Sequence, residues 1–405
     1  MKILHTADWH IGKILHKYNL EDDHRLFFDW LTQLIIDQKI ELLLVAGDIF
    51  DTTNPSNTSL SMYYNFLKSL LPTGCQVVIT GGNHDSPSLL NAPREILQFL
   101  NIRIIGAAQN PIENQLLEIK NKQNQLELVV AAVPYLRDID LRKSVSGENY
   151  EDKVTAIREG IKRYYENLAS IALEKYANLP SIAMGHLYVR GVTVSDSERE
   201  IHAVGGEAAF ASDNFPSSFD YIALGHIHKS QRIADSDWIR YSGSPIPLSF
   251  SEREDKKYVI ILNLEEGKFT DNQLIEVPKF RELRRFSGTI DEVWEALRNF
   301  TPSTPLMPLL EVAVEEPDYD PMKAIQYTLL QQEFDEADFK IIKPTIRYKN
   351  RLSGADELFS MGENIQDLSF RDVFLKRIEN EDLTDETRQL LVEAFDELCQ
   401  EIFEE

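Results

Sequence analysis

The sequence predicts an α/β fold with sheets buried between helices. Short apolar runs, often β-branched, recur along the first 242 residues, and runs of this length are typical of buried strands. Several gaps between them hold apolar residues at helical spacing, and strands that alternate with helices indicate an α/β architecture. The predicted strands are KILHTA (2–7), ELLLVA (41–46), CQVVIT (75–80), LELVVAAV (126–133), SIAM (181–184), YIAL (221–224) and IRYS (239–242).

Helices are predicted where apolar side chains recur with the period of an α-helix. Between the strands, this pattern occurs in residues 21–37, 57–71 and 151–176. A smaller α/β unit follows residue 287, with predicted helices DEVWEALRNF and PMKAIQYTLLQQEF and predicted strands PLLEVAVEE and FKIIKPTIRY. The basic segment PKFRELRRF (278–286) is predicted to connect the two parts.

These changes along the chain predict three regions. Residues 1–280 would form the main α/β domain, and residues 281–348 the small α/β unit. Residues 349–405 would form a helical tail. The tail would hold one helix over residues 369–380 and a second helix along an apolar stripe from Leu390 to Phe403.

Composition limits the class of protein. The chain has 405 residues and a net charge of −24, from 66 acidic and 42 basic side chains. This charge argues against a nonspecific nucleic-acid binder. The acidic residues are densest in the tail, however, so a local basic groove remains compatible with the sequence. Two distant cysteines, Cys75 and Cys399, no signal peptide and no apolar run of membrane-spanning length predict a cytoplasmic protein.

Polar side chains directly follow five of the predicted strands. In α/β sheets, ligands bind outside the carboxyl ends of the strands, so these side chains are predicted to meet at one edge. The residues are Asp8 and His10 after the first strand, Asp48 after the second, Asn83, His84 and Asp85 after the third, His186 after SIAM, and His226 and His228 after YIAL.

Each of these motifs taken alone is a weak signal, because turns also favour Gly, Asn and Asp. Their combination is more specific, since five of the nine histidines in the chain lie within them. The remaining histidines are scattered and receive no role; they are His5, His16, His24 and His202. The ordered set therefore predicts a metal site.

The types of ligand indicate which metals fit. Carboxylates, an amide oxygen and imidazoles without thiolates suit Mn, Fe or Zn rather than a structural zinc–cysteine site. The candidates outnumber the ligands of one ion that keeps an open position. Two ions about 3.5–4 Å apart, bridged by a carboxylate, would use all of them.

In this order the motifs resemble the calcineurin-like metallophosphoesterase superfamily over about residues 1–280. The stretches ILHTADWHIGK, VAGDIFDTTNPS, GNHDSP, VPYLR and IRYSGSPIPLSFSE are similar to those of the SbcD family, the nuclease subunits of bacterial complexes that process DNA ends and hairpins. The resemblance covers essentially the whole chain. It implies a β-sandwich core flanked by helices, a small α/β capping domain that binds DNA, and a C-terminal helical tail.

The resemblance also implies roles for individual residues. One metal would be held by Asp8, His10, Asp48 and His228, and the other by Asp48, Asn83, His186 and His226. His84 would lie over the scissile phosphate, and Asp85 would either orient His84 or hold the turn. Some archaeal and eukaryotic relatives have a second histidine at the position of Asp51, so a second catalytic imidazole is absent here.

The function implied by the resemblance is that of a manganese-dependent DNA nuclease with two Mn²⁺ ions, although Mg²⁺ or other divalent ions remain possible. It would act as a 3′–5′ exonuclease on double strands and as an endonuclease on single strands and hairpins. The tail would bind an SbcC-like SMC-type ATPase. A homodimer within a heterotetramer is expected, with Met62, Phe66 and Leu97 either near the dimer interface or buried within one chain.

Two alternatives remain open from the sequence. The first is a phosphodiesterase or phosphatase of the same superfamily that acts on small molecules or phosphoproteins, although such an enzyme would not need the capping unit and the tail. The second is a non-catalytic scaffold. The complete set of candidate ligands argues against a scaffold, because a degenerate relative should have lost some of them.

Overall fold

The computed structural model describes residues 1–142, 149–198, 210–335 and 337–349, together with residues 387, 389–392 and 394–395. The strands are β1 (Lys2–Thr6), β2 (Ile14–Leu15), β3 (Tyr18–Asn19), β4 (Leu42–Ala46), β5 (Gln76–Thr80), β6 (Ile102–Ile105), β7 (Leu116–Lys120), β8 (Leu126–Ala131), β9 (Ser181–His186), β10 (Tyr221–Gly225), β11 (Gln231–Ile233), β12 (Ser236–Tyr241), β13 (Tyr258–Glu265), β14 (Lys268–Glu276), β15 (Arg281–Gly288), β16 (Leu306–Glu316) and β17 (Lys340–Tyr348). The helices are α1 (Glu21–Gln38), α2 (Asn57–Leu70), α3 (Pro87–Asn91), α4 (Arg94–Leu97), α5 (Asp138–Leu141), α6 (Tyr150–Tyr176), α7 (Ile290–Arg298) and α8 (Pro321–Glu333).

Two six-stranded sheets form the core of the main α/β domain. The strand order is β14-β13-β1-β4-β5-β6 in the first sheet and β11-β12-β10-β9-β8-β7 in the second. Strands β1, β4, β5 and β6 run parallel in the first sheet, and β8, β9, β10 and β12 run parallel in the second. The carboxyl ends of the parallel strands therefore lie together at one edge of each sheet.

The two sheets pack face to face, with helices outside them. In β4, Leu42 and Leu44 lie in the core between the sheets, whereas Leu43 and Val45 face α1 and α2. The alternation follows from the period of two of a strand, and it explains why this strand is apolar on both faces. Helix α6 covers the outer face of the second sheet with buried side chains that include Tyr165. The layers are helix, sheet, sheet, helix.

Most of the predicted elements are confirmed, within a few residues at their ends. All nine predicted strands and all five predicted helices before residue 349 are present. The prediction of a connector over 278–286 is wrong, because β15 begins at Arg281 and joins a three-stranded sheet in the order β15-β16-β17. Its basic composition was misleading: Leu283 and Arg281 are buried, whereas Arg284 and Arg285 are exposed.

The chain divides into two compact units. The first comprises residues 1–285, 300–311 and 334–343 and contains both six-stranded sheets. The second comprises residues 286–299, 312–333 and those described from 344 onward, and it contains α7 and α8. The domain boundaries near 280 and 348 stay predictions.

Some predictions lie wholly or mostly outside the described residues. The helix predicted over 369–380 is among them, as is most of the apolar stripe that ends at Phe403. Phe66 and Leu97 are buried within the single chain, which favours the second of the two alternatives for them. No helix of the described residues combines the length and the apolarity needed to cross a membrane.

Candidate metal centre

The predicted site residues converge where the strands of both sheets end. Strands β1, β4 and β5 deliver their polar residues from the first sheet, and β9 and β10 deliver theirs from the second. The expectation of one sheet edge is therefore corrected to two facing edges. The seven candidate ligands all take part, and all but half-buried Asn83 are almost fully buried; they are Asp8, His10, Asp48, Asn83, His186, His226 and His228.

One group of ligand atoms surrounds the amide oxygen of Asn83. Asn83 Oδ1 lies 2.9 Å from His186 Nε2 and 3.2 Å from His226 Nδ1. His186 Nε2 also lies 3.3 Å from Asp48 Oδ2. Asp48, His186 and His226 each offer an atom within 4.8 Å of the others. These are the four residues that the resemblance assigns to one ion.

The second group of candidate ligands also contacts Asp48. His10 Nε2 is 3.5 Å from Asp48 Oδ2, and the rings of His10 and His228 are 5.0 Å apart. Within the described part of the chain, the buried Asp8 Oδ2 has no hydrogen-bond partner, while Asp8 Oδ1 accepts the backbone N–H of His226 at 2.8 Å. Asp48 Oδ2 is therefore within reach of both groups, as a bridging ligand requires.

Burial and neighbouring charges shift the pKa values of the acids and imidazoles at the centre. Without a bound cation, burial raises the pKa of Asp8 to about 7 and lowers the pKa of His10 to about 4. Burial would also lower the pKa of His186, but the carboxylates of Asp48 and Asp8 outweigh it and raise that pKa to about 9. The imidazoles of His186 and His10 likewise outweigh burial at Asp48 and hold its pKa well below the usual range.

This set of donors fits divalent cations. A buried carboxylate oxygen without a partner, a second buried carboxylate, an amide oxygen and imidazole nitrogens are the ligands that such ions take, and positive charge would compensate the buried acids. The centre is a divalent metal site. Manganese is one of the ions that this mixture of nitrogen and oxygen donors suits.

The backbone at the centre is held in unusual conformations. Asp8, His10, Asp48 and His226 have positive φ angles of 52°, 47°, 50° and 97°. Non-glycine residues rarely adopt such angles, and they cluster at functional sites where the surrounding structure enforces them. The sequence does not predict these angles, although Gly47 before Asp48 and Gly225 before His226 indicate tight turns.

His84 and Asp85 have different partners. The Nδ1 of His84 lies 2.7 Å from the backbone oxygen of Asp51, and its ring is 4.7 Å from that of His10. His84 also offers an atom within 4.8 Å of ligand atoms of His10 and Asp48, so its imidazole stands at the centre. The carboxylate of Asp85 accepts three backbone N–H groups, which favours the turn-holding role; they belong to Ile49, Phe50 and Gly82.

Asp51 has a role that the sequence alone did not reveal. Its Oδ1 lies 3.3 Å from His10 Nδ1 and 3.2 Å from the ammonium of Lys13. Together with its backbone contact to His84, this places one residue against two imidazoles of the centre. A carboxylate on the far nitrogen of a ligating histidine orients the ring and raises its basicity. At this position the chain has a carboxylate in contact with His10.

The fold and the centre together define a metal-dependent phosphoesterase. The family model for calcineurin-like phosphoesterases matches residues 1–230. A second model, described as the type 5 capsule protein repressor C-terminal domain, matches residues 279–382. The predicted fold class is confirmed.

Comparison with individual proteins narrows this class. The SbcD subunit of nuclease SbcCD from Escherichia coli K12 is 32% identical over 400 residues, which cover 98% of this chain and 97% of that protein. The SbcD proteins of Rhodobacter capsulatus and Bacillus subtilis are 36% identical over 278 residues and 33% identical over 273 residues, in each case covering 66% of this chain and 67% of the relative. The chain belongs to the SbcD family, and its predicted identity as a metal-dependent nuclease is confirmed.

One solved structure, a dimetal phosphatase from Danio rerio, is 14% identical and covers 69% of this chain and 99% of that chain. Its TM-score of 0.40 is too low to support a conclusion.

Proposed function

We propose that this chain is a manganese-dependent DNA nuclease that hydrolyses phosphodiester bonds by a two-metal mechanism. It would act as a 3′–5′ exonuclease on double strands and as an endonuclease on single strands and hairpins. The observation that carries the proposal is the position of Asp48, whose Oδ2 lies 3.3 Å from His186 Nε2 and 3.5 Å from His10 Nε2. A carboxylate shared by two groups of ligands is the arrangement that paired ions require.

Two groups of residues would hold the ions. Asp8, His10 and His228 would bind one of them, Asn83, His186 and His226 would bind the other, and Asp48 would bridge both. When bound, the two ions would neutralise phosphate charge, activate a water molecule as nucleophile and stabilise charge that develops in the transition state. A net charge of −24 does not prevent this chemistry, because the positive charge is supplied locally.

His84 would act on the substrate. Its Nδ1–H donates to the backbone oxygen of Asp51, which fixes the orientation of the imidazole, and Nε2 is the nitrogen that would exchange a proton with the substrate. An imidazole in this position can protonate the leaving 3′ oxygen or stabilise the transition state. Asp85 would support this role indirectly, by holding the turns that carry Asp48 and His84.

The chain would work within a complex. Relatives at 32–36% identity are named as subunits of nuclease SbcCD, which supports a partner related to SbcC and a DNA substrate. We propose that residues 349–405 bind this SMC-type ATPase and that two copies of the chain form a homodimer within a heterotetramer. A partner that hydrolyses ATP would regulate access of duplex DNA to the centre.

The decisive experiment compares the full chain with the variants His84→Ala and Asp48→Ala. Each is incubated with Mn²⁺ and either end-labelled duplex DNA, hairpin DNA or a small phosphodiester, and bound metal is counted by elemental analysis. Both variants should lose cleavage of DNA; His84→Ala should keep its metal, whereas Asp48→Ala should lose it. His16→Ala, which removes an exposed histidine, is the matched control and should remain active.

Three outcomes would contradict parts of this proposal. Cleavage by His84→Ala would remove the role assigned to that imidazole. Cleavage of the small phosphodiester without cleavage of DNA would indicate the alternative, a phosphodiesterase or phosphatase of the same superfamily. A parent chain that binds no metal and cleaves neither substrate would indicate a scaffold.

A further inference from the structure

The Nδ1 atom of His228 takes part in a hydrogen-bond network with Ser197 and Glu252. Ser197 Oγ lies 2.7 Å from His228 Nδ1, and the hydroxyl of Ser197 donates to Oε1 of Glu252. A hydroxyl has a single hydrogen. Because that hydrogen goes to the carboxylate, the serine oxygen accepts from Nδ1–H of His228. The histidine is thereby fixed in the tautomer that leaves a lone pair on Nε2.

The carboxylate of Glu252, the last group in this hydrogen-bond network, is held in one orientation by several partners. Glu252 is fully buried, and its Oε2 lies 2.5 Å from the ammonium of Lys257 and 3.2 Å from the backbone N–H of Leu248. Lys257 also donates to the backbone oxygen of His228 at 3.2 Å and to Ser244 Oγ at 3.0 Å. The negative charge of Glu252 is therefore compensated and its geometry is fixed before any cation binds.

The backbone of His228 is held by the same loop that carries Ser197. Its N–H donates to Glu198 Oε1 at 2.9 Å, and Glu198 Oε2 accepts the backbone N–H of Ser195 at 2.6 Å. Residues 195–198 thus contact the ring and the main chain of the histidine. Two segments distant in sequence, this loop and the segment 244–257, converge on one imidazole.

We propose that Glu252 is a positioning residue for the metal centre, acting through Ser197 to present Nε2 of His228 to one of the two ions. The inference rests on the proposed function, in which His228 is a ligand. Carboxylates behind ligating histidines set the tautomer and the basicity of the ring, and their removal weakens metal affinity about 10–100-fold. Here Nδ1 of His228 lies 3.5 Å from Glu252 Oε1, and a serine hydroxyl closer to both groups relays the effect.

The test measures Mn²⁺ binding by the full chain in titration calorimetry. Ser197→Ala removes the relay without leaving a buried charge unpaired, so the chain should fold with a Tm near that of the parent. It should bind one ion with parent affinity and the other about 10–100-fold more weakly. Ser197→Thr restores a hydroxyl and should recover most of the affinity. The electron paramagnetic resonance signal of coupled Mn²⁺ pairs should be lost in Ser197→Ala at ion concentrations that saturate the parent.

Ser249→Ala is the matched control. Its hydroxyl lies 3.3 Å from the same Glu252 Oε1 and 2.7 Å from Ser251 Oγ, so it tests the general loss of a hydroxyl beside this carboxylate. It should bind both ions as the parent does. Glu252→Gln should weaken the same ion as Ser197→Ala and also lower the Tm, because Lys257 would be left buried without its counter-charge. The metal affinities of the Ser197 and Ser249 variants test the proposed role of Glu252 even if Glu252→Gln is unstable.

Two results would overturn the inference alone. One is a Ser197→Ala chain that binds both ions with the parent affinity. The other is an equal loss of affinity in Ser249→Ala, which would show that any missing hydroxyl has the same effect. A parent chain that binds fewer than two ions would overturn the proposed two-ion function, and this failure is distinguished from the others because the parent itself shows it.

Discussion

Nε2 of His186 lies 3.3 Å from Oδ2 of Asp48, although His186 ends a strand of the second sheet and Asp48 follows a strand of the first. Glycines permit the second sheet to approach the first, and they permit neighbouring strand ends of the first sheet to approach each other. A Cβ on Gly47 would lie 2.2 Å from His186 Nδ1, and a Cβ on Gly82 would lie 2.1 Å from Asp48 Oδ1. The metal centre is thus assembled by the packing of the sandwich and depends on residues that ligate nothing.

Gly225→Ala should disrupt the centre without changing a ligand. A Cβ on Gly225 would lie 1.8 Å from the backbone oxygen of Ala46, so the two sheets would have to move apart at their carboxyl ends. We expect a loss of about 1–3 kcal/mol in the free energy of unfolding and weaker Mn²⁺ binding. Urea titration and calorimetry would measure the two effects.

Gly74→Ala is the control for Gly225→Ala. Gly74 has a φ of +72°, but a Cβ added to it would have no atom within 4 Å, so the substitution should destabilise the chain by backbone strain of about 1 kcal/mol and leave metal binding unchanged. Parent-like metal binding in Gly225→Ala would show that the sheets tolerate separation at this point.

The candidate ligands could be predicted from sequence because each follows an apolar strand and differs from it in chemistry. The distribution of these ligands over two sheets could not be predicted. A strand buried between two sheets and a strand buried between a sheet and a helix are both continuously apolar, as β4 is. Strand β15 was missed because its exposed arginines outweighed Leu283 in the pattern. A period of two is hard to recognise when the polar side chains dominate.

The supporting residues of the site could not be predicted for a different reason. Asp51 and Glu252 are two of 66 acidic residues, and although both lie in stretches that resemble the SbcD family, the resemblance assigns neither of them a supporting role. Their roles arise from contacts with His10 and with Ser197, and Glu252 is 55 positions from that serine. Only the three-dimensional structure brings such residues together.

Asp85→Ala should destabilise the whole region around the centre. Its carboxylate accepts the backbone N–H groups of Ile49, Phe50 and Gly82 at 3.1, 3.0 and 2.8 Å, and all three would be left buried without an acceptor. We expect the free energy of unfolding to fall by at least about 3 kcal/mol, because each of the three unsatisfied groups contributes about 1–3 kcal/mol. Mn²⁺ binding should weaken with it.

Asp85→Asn separates the two roles considered for this residue. The amide keeps one acceptor oxygen, so the loss of stability should be smaller than in Asp85→Ala. If Asp85 acted only by orienting His84, both variants would unfold at the parent urea concentration and bind metal normally while losing cleavage. Urea unfolding and metal counting on the same samples would distinguish these patterns.

Arg281→Met should leave an uncompensated buried charge. Nε of Arg281 lies 2.9 and 3.0 Å from the two carboxylate oxygens of Asp23, and both side chains are buried. Removal of one partner of such a pair destabilises a protein by about 3–5 kcal/mol. The double variant Asp23→Leu/Arg281→Met should recover much of this loss, because no charge then remains buried. Unfolding in urea would measure all three variants.

The exposed pair Arg25 and Asp22 provides the comparison for this prediction. The two side chains are 59% and 50% exposed and approach within 2.5 Å. Arg25→Met should change the free energy of unfolding by less than about 1 kcal/mol. A similar small effect in Arg281→Met would show that water or another group compensates Asp23 when the arginine is lost.

His5 should make the stability of the chain depend on pH. It is fully buried between the sheets, with Nδ1 3.0 Å from the hydroxyl of Tyr221, and burial lowers its pKa from 6.5 to about 3. The unfolded chain therefore binds a proton at His5 below pH 6.5 that the folded chain does not bind until about pH 3. Stability from this residue is complete above pH 6.5 and declines as the pH falls toward 3, by about 2–3 kcal/mol at pH 4.5.

His5→Gln tests this dependence, because glutamine can still contact Tyr221 but does not titrate. Urea unfolding with a chelator present would measure the stability of both chains at pH 7 and at pH 4.5. From pH 7 to pH 4.5, the variant should gain about 2–3 kcal/mol in its free energy of unfolding relative to the parent. The other acid-sensitive groups titrate in both chains and cancel in the difference. His16→Gln, which changes an exposed histidine, should show a smaller shift. Parallel pH profiles for parent and His5→Gln would mean that His5 is protonated inside the sandwich, with Tyr221 and the nearby backbone stabilising its charge.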